Sequence, residues 1–177
     1  GYISQSGALM TAILDLARAN DIGFSKMVSI GNKADVDELE IMSDFGLDEN
    51  TSVVAGYLES ISDGDRFVRQ MEKISQDKPV LLIKSGGTGA GAKAASSHTG
   101  SLAGNETAYD VIFDRAGIIR CDSVRTQFDY AQAFVNQPLP KGRRVAVITN
   151  AGGPGIMTAD AIERKGLTFA QLTDETI

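Results

Sequence analysis

Apolar and polar positions follow two alternating rhythms along this chain. Short apolar runs at residues 26–30, 52–58, 79–84, 117–121 and 143–149 read as buried strands, and the chain opens inside another at Gly1-Tyr2-Ile3-Ser4. Between these runs the apolar residues recur at helical spacing. Leu9, Ile13, Leu16 and Ala17 share one face, with Thr11, Asp15 and Arg18 opposite. Residues 37–45 are acidic, with Leu39 and Met42 turned inward. The clearest stripe is Phe67, Val68, Met71 and Ile74 within 63–76, where Asp63 is placed to cap the helix. Further helices are predicted at 106–116, 123–135 and 154–165, the last opened by Pro154 and stopped by Gly166. From Ser85 to about Gly104 the periodicity stops, and the pattern predicts a long loop.

Strand and helix alternate throughout, which predicts an α/β protein with a parallel sheet and helices on both faces. Five βα units precede a stretch carrying Pro138, Pro140 and Gly142. They fit a flavodoxin-like doubly wound sheet over residues 1–137, with a linker at 138–142. Residues 143–177 hold one βα unit and a short tail, which cannot bury a core of their own, so they are expected to be the truncated start of a second α/β domain. The chain begins without an initiator Met, and the expectation is a fragment of a longer protein.

Composition narrows the function. Of 177 residues, 42% are hydrophobic and 23% charged, the balance of a soluble globular protein. Lys plus Arg number 17 against 23 Asp plus Glu, a net charge of −6, which argues against a nucleic-acid or acidic-membrane partner but not against one small anion. A single Cys, Cys121, rules out an intrachain disulfide, and with a single His, His98, it rules out the usual Cys/His zinc cages; no metal site is assigned. No apolar run approaches the ~20 residues of a membrane span, and no signal peptide is evident, so a cytoplasmic protein is expected.

In open α/β sheets, ligands bind beyond the carboxyl ends of the strands. Those ends carry Ser4-Gln5-Ser6-Gly7-Ala8, Gly31-Asn32-Lys33-Ala34-Asp35, Glu59, the 85–104 stretch and, past the linker, Asn150-Ala151-Gly152-Gly153-Pro154-Gly155. Residues 85–104 hold six Gly, five Ala, four Ser, two Thr, Lys93, His98 and Leu102, and no acid, so they offer backbone N–H groups, hydroxyls and the chain's one imidazole. A flexible linker with an incidental His is the plain alternative. The Ser6-Gly7 and Gly152–Gly155 turns each lead into a helix N-terminus, which attracts anions, although ordinary capping accounts for either one alone. Neither has Walker A spacing. Glu59 is placed to accept a proton from one imidazole nitrogen and leave the other nucleophilic; a helix-initiating or surface acid is equally consistent. Lys33, Asp35, Asp37, Glu38 and Glu40 read as a solvated, partly capping acidic face.

The run from Ala90 through Lys93, Ser97, His98, Thr99 and Gly100 to Gly104 resembles the phosphohistidine loop of ADP-forming acyl-CoA synthetases, relatives of succinyl-CoA synthetase. The Ser4–Leu9 stretch, Gly31–Asp35 and Asn150–Gly155 resemble three further signatures of that family, in the same order. The resemblance implies the reaction acid + CoA + ATP = acyl-CoA + ADP + phosphate, through an acyl phosphate and a phosphohistidine on His98. It implies that Glu59 supports His98. It implies that Ser6, Gly7, Ser97, Thr99, Gly100, Gly152, Gly153 and Gly155 bind phosphate, with the two helix N-termini facing the phosphohistidine as its only evident charge compensation. No cofactor is expected within the fragment. The parent enzyme is expected to use CoA, ATP/ADP and Mg²⁺, to need CoA-binding and ATP-grasp domains or a further subunit, and to be an oligomer. The Gly87-Thr88-Gly89 turn departs from the family in lacking a basic and an acidic residue. The runner-up reading is a regulatory module of a protein lysine acetyltransferase fusion, in which the His is typically absent. A flavodoxin-like electron carrier fits the fold but lacks aromatic ring stackers at the strand ends.

Overall fold

The computed structural model describes residues 1–99 and 106–176, and the side chains of Ala95, Ser96, His98 and Thr99 fall outside that description. The apolar runs become short parallel strands: β1 (Tyr2–Ser4), β2 (Met27–Ser29), β3 (Val54–Leu58), β4 (Val80–Lys84) and β5 (Ile118–Arg120). They pair in the order β2-β1-β3-β4-β5, with Ile3 beside both Val28 and Gly56, and Leu81 beside both Ala55 and Ile119. This is the flavodoxin-like order, and its reversal point between β1 and β3 is where such sheets bind ligands. Gly56 makes the close approach possible. A Cβ there would lie 2.5 Å from Ile3 Cγ2 and 3.0 Å from the Ile3 carbonyl oxygen.

The connecting helices are α1 (Gly7–Ala19), α2 (Glu38–Leu47), α3 (Gly64–Asp77), α4 (Gly89–Thr99), α5 (Glu106–Arg115) and α6 (Val124–Asn136). Polar side chains at the helix starts satisfy N–H groups that have no partner inside the helix: Ser6 caps α1, Asp63 caps α3, Ser123 caps α6, and Asp37 with Glu40 forms a capping box on α2. The sheet buries both faces. On one, Ile3, Val54, Val80 and Leu82 pack with Leu39, Met42 and Phe45 of α2, Phe67, Met71 and Ile74 of α3, and Phe113 of α5. On the other, Tyr2, Ala55 and Leu81 pack with Ile13 and Ala17 of α1 and Phe128 of α6. One polar side chain penetrates this second layer. Gln127 Nε2 donates to the carbonyls of Gly56 (2.9 Å) and Leu81 (2.8 Å), and its Oε1 accepts from Tyr2 Oη (3.1 Å).

The largest departure from the sequence pattern is α4, which forms over much of the predicted 85–104 loop. Its four alanines between 89 and 99 have the best intrinsic helix propensity, but with no apolar stripe they leave no periodicity to read. Thr88 Oγ1 accepts from Gly91 N–H at 3.1 Å and so caps the helix start. Residues 100–105 lie outside the described residues.

The chain divides into two compact units, Gly1–Gln137 and Pro138–Ile177. In the second, the strand predicted at 143–149 contracts to β6 (Arg144–Val145), which pairs in parallel with β7 (Thr168–Phe169), a strand the pattern did not predict. Its helix α7 (Gly152–Arg164) begins before Pro154. The missing proline N–H then falls in the first turn, where it costs no helix hydrogen bond. Among the described residues, no helix is long and apolar enough to cross a membrane.

Candidate functional site

Four side chains converge on the segment that follows β3. Gln5, just past β1, accepts from Glu59 N–H (2.6 Å) and Ser60 N–H (2.9 Å) with its Oε1, and donates from Nε2 to Ser60 Oγ (3.2 Å). Lys84, the last residue of β4, donates from Nζ to the carbonyls of Glu59 (2.8 Å) and Ser85 (2.5 Å). Lys33 donates to the Ser60 carbonyl (2.7 Å) and pairs with Glu38 Oε2 (2.7 Å). Glu38 in turn accepts from Ser62 N–H (2.8 Å) and Ser62 Oγ (3.3 Å). Glu59 thus stands at the carboxyl edge of the sheet on a backbone gripped from several elements. The Tyr57 phenol accepts from Ser85 Oγ (2.9 Å), and burial together with the neighbouring Glu59 charge raises its pKa.

These contacts correct two expectations. Lys33 and Glu38 are not part of a solvated face: their side chains are 6% and 0% exposed. Asp37 and Glu40 do cap, as expected of that stretch. Nor is the α1 N-terminus the only positive group near Glu59: the Lys84 ammonium is buried beside the same segment, as is that of Lys33, which Glu38 neutralises. Burial is the main cause that lowers the Lys84 pKa to about 8, with Arg120 and Lys33 adding to it. Lys84 Nζ lies 4.1 Å from the centroid of the Tyr109 ring. Arg120, at the end of β5, forms ion pairs with Glu106 and Asp110. At Gly87, the turn without a basic side chain, an added Cβ would run into the Glu106 carboxylate. Arg120 therefore supplies a cation close to that turn. Sequence reasoning missed Gln5 and Lys84 as well as the Lys33–Glu38 pair. Their available signal was position, since each lies at or just beyond a strand's carboxyl end or in the helix that follows.

The N-terminus of α1 follows Gln5 directly in the chain. Ser6 is extended (φ −111°, ψ 113°) and its Oγ accepts from Leu9 N–H at 3.2 Å. Ser4 Oγ accepts from Ser6 N–H at 3.0 Å. The N–H groups of Gly7 and Ala8 have no acceptor among the described residues. A Cβ on Gly7 would meet only Ser29 Oγ, at 3.7 Å, so packing does not demand glycine there. The structure therefore brings Ser6, Gly7 and Glu59 together through Gln5.

The backbone of His98 and Thr99 lies in the last turn of α4, while their side chains and the whole of Gly100 lie outside the described residues. Ser97 is exposed, and its Oγ donates to the Lys93 carbonyl at 3.1 Å within the same helix. In the second unit, Gly152, Gly153 and Gly155 form the first turn of α7, whose N-cap, Ala151, offers no side-chain hydrogen bond. A Cβ on Gly152 or Gly153 would meet no atom within 4 Å, so local packing leaves these glycines unexplained. Among the described residues, no group of three or more His, Cys, Asp or Glu side chains is placed to hold a metal ion.

Comparison with known proteins agrees with this architecture. The succinyl-CoA ligase like flavodoxin domain family matches residues 1–134. The chain is 44% identical over 176 residues to the acetate–CoA ligase [ADP-forming] II subunit alpha of Pyrococcus furiosus, covering 99% of this chain and 38% of that protein. It is 42% identical over 173 residues to the 4-hydroxybutyrate–CoA ligase [ADP-forming] of Nitrosopumilus maritimus, covering 97% of this chain and 25% of that one. Among solved structures, the dinucleotide forming acetyl-coenzyme A synthetase 1 of Ca. Korarchaeum cryptofilum, in complex with phosphate and ADP, superposes with a TM-score of 0.90 at 39% identity, over 98% of this chain and 38% of that one. The chain spans well under half the length of these relatives. With its parallel sheet order and a family match over most of its length, this chain belongs to the succinyl-CoA ligase like flavodoxin domain family.

Proposed function

We propose that this chain is the phosphoryl-carrying part of an ADP-forming acyl-CoA synthetase, acting with CoA-binding and nucleotide-binding parts in a cytoplasmic, oligomeric enzyme. The overall reaction is acid + CoA + ATP = acyl-CoA + ADP + phosphate. Run toward ATP, orthophosphate displaces CoA from the acyl-CoA to give an acyl phosphate. A His98 nitrogen then takes the phosphoryl group, which frees the acid, and later passes it to ADP. CoA, the nucleotide and its Mg²⁺ are assigned to the other parts of the enzyme; this chain supplies the carrier and its anion site.

The observation that carries the reading is the Gln5 contact: one side chain ties Glu59, through its N–H at 2.6 Å, to the α1 N-terminus with its free Gly7 and Ala8 N–H groups. A carboxylate that can hold an imidazole N–H and a helix end that attracts phosphate are thereby set on one sheet edge. Glu59 fixes the His98 tautomer and stabilises the positive charge that develops as the P–N bond forms. Ser6, Gly7, Ser97, Thr99 and Gly100 hold the phosphoryl oxygens, with Gly152, Gly153 and Gly155 as a further anion-binding turn. The buried Lys84 adds positive potential for a group that carries about two negative charges. The names of two relatives, an acetate–CoA ligase and a 4-hydroxybutyrate–CoA ligase, support an organic acid as the substrate.

The test is phosphorylation of the assembled enzyme by labelled ATP with Mg²⁺. The expected product is an acid-labile, base-stable phosphoprotein. His98→Asn should abolish both label and turnover, and Glu59→Gln should keep the fold and lower phosphorylation by about a hundredfold, the scale of losing an acid–base partner. Full labelling of His98→Asn would remove His98 from the reaction.

A further inference from the structure

We propose that Lys33 and Glu38 form a buried clamp that sets the position of the Glu59 carboxylate, making them positioning residues for phosphoryl transfer; this rests on the role of Glu59 proposed above. Five backbone groups in the 59–62 segment are held by side chains rather than by the sheet ladder. Gln5 takes the N–H groups of Glu59 and Ser60, and Lys84 takes the Glu59 carbonyl. The Ser60 carbonyl belongs to Lys33 and the Ser62 N–H to Glu38. Gln5 and Lys84 hold the near side of Glu59, and the Lys33–Glu38 pair holds the far side. Removing the pair frees the chain beyond Glu59 while leaving β3 paired.

Two features show that the pair is more than an anchor for α2. That helix already buries Leu39, Met42 and Phe45 at 1% exposure or less, so it has an apolar attachment of its own. A buried ion pair adds little net stability over apolar residues of similar size, because taking two charges out of water offsets their attraction. Moreover, Lys33 has a left-handed backbone (φ 56°) just after Gly31 (φ 50°). A lysine in that region is strained and persists only where its surroundings hold it. The strain and the desolvation are both directed at one result, a lysine ammonium seated on the Ser60 carbonyl.

The experiment compares His98 phosphorylation in the assembled enzyme carrying Lys33→Met, Glu38→Gln or the double change Lys33→Met/Glu38→Leu, each with Glu59 intact and with Glu59→Gln. With Glu59 present, each should slow phosphorylation about tenfold or more at saturating ATP, with KM for ATP within about twofold of wild type. In the Glu59→Gln background the same changes should alter the rate less than about twofold, because positioning is lost once the positioned group is gone. A general loosening would slow both backgrounds equally and overturn the proposal. The double variant leaves no unpaired buried charge and should fold; if it keeps the wild-type rate, or fails to fold at all, the pair is not a positioning device. If Glu59→Gln alone leaves phosphorylation unchanged, the Glu59 reading itself fails and the clamp falls with it, a result distinct from a Glu59 effect without a clamp effect.

Discussion

Lys84 allows a quantitative test of the site's electrostatics. Its ammonium sits in a residue only 5% exposed, and burial lowers its pKa from an ordinary 10.5 to about 8. Between those values the unfolded chain holds a proton that the folded chain has released. Stability therefore rises with pH in this window, since more protons are bound in the unfolded state. Below about pH 8 both states carry the charge and above about 10.5 neither does, so the slope vanishes outside the window. A fall of about 2.5 in pKa corresponds to about 3 kcal/mol across it. Other groups oppose this trend. Burial raises the Cys121 thiol to about 11 and pushes the Tyr2 and Tyr57 phenols up as well, and these contributions are lost as pH climbs. The measurement is therefore a difference: urea unfolding of wild type and Lys84→Met from pH 7.5 to 10.5. Lys84→Met lacks the hydrogen bonds to Glu59 and Ser85, which shifts its curve by a constant, but it should also lack the rise with pH. The wild-type advantage should grow by about 3 kcal/mol from pH 8 to 10.5. Parallel curves would show that Lys84 ionises as an exposed lysine does and would refute the reasoning.

Two further substitutions separate the anion site from the scaffold. Gly7→Pro removes one free N–H at a first helical position that accepts proline, after a Ser6 already in the extended region proline requires. Phosphate binding, followed by amide chemical shifts of residues 5–9, should weaken about tenfold, the scale of losing one hydrogen bond to a charged group, with melting unchanged; unchanged affinity would take this turn out of the site. Gln127→Leu strands the Gly56 and Leu81 carbonyls and the Tyr2 hydroxyl, and should destabilise the first unit by about 2–4 kcal/mol in urea titrations. An unshifted midpoint would show that those groups find other partners.

The sequence by itself determined the alternating α/β plan, because the strands are apolar runs and α1, α2, α3, α5 and α6 carry apolar residues at helical spacing against capping residues such as Asp63 and Ser123. It also marked the strand ends where Ser6, Gly7 and Glu59 stand. Periodicity was blind to α4, whose alanines form a helix by propensity without an apolar face, and it overran β6, whose neighbours are apolar but unpaired. Only the tertiary structure decided which charges are buried. Lys33 and Glu38 sit in a charged run that reads as surface, yet the loop after β2 folds against the end of β3, where each finds the other and an unpaired backbone group within 3 Å. Lys84 ends an apolar strand, and its burial depends on β5 and α5 closing beside it. Such burial depends on partners distant in sequence, and a one-dimensional pattern records a residue's own polarity but not the groups that will satisfy it.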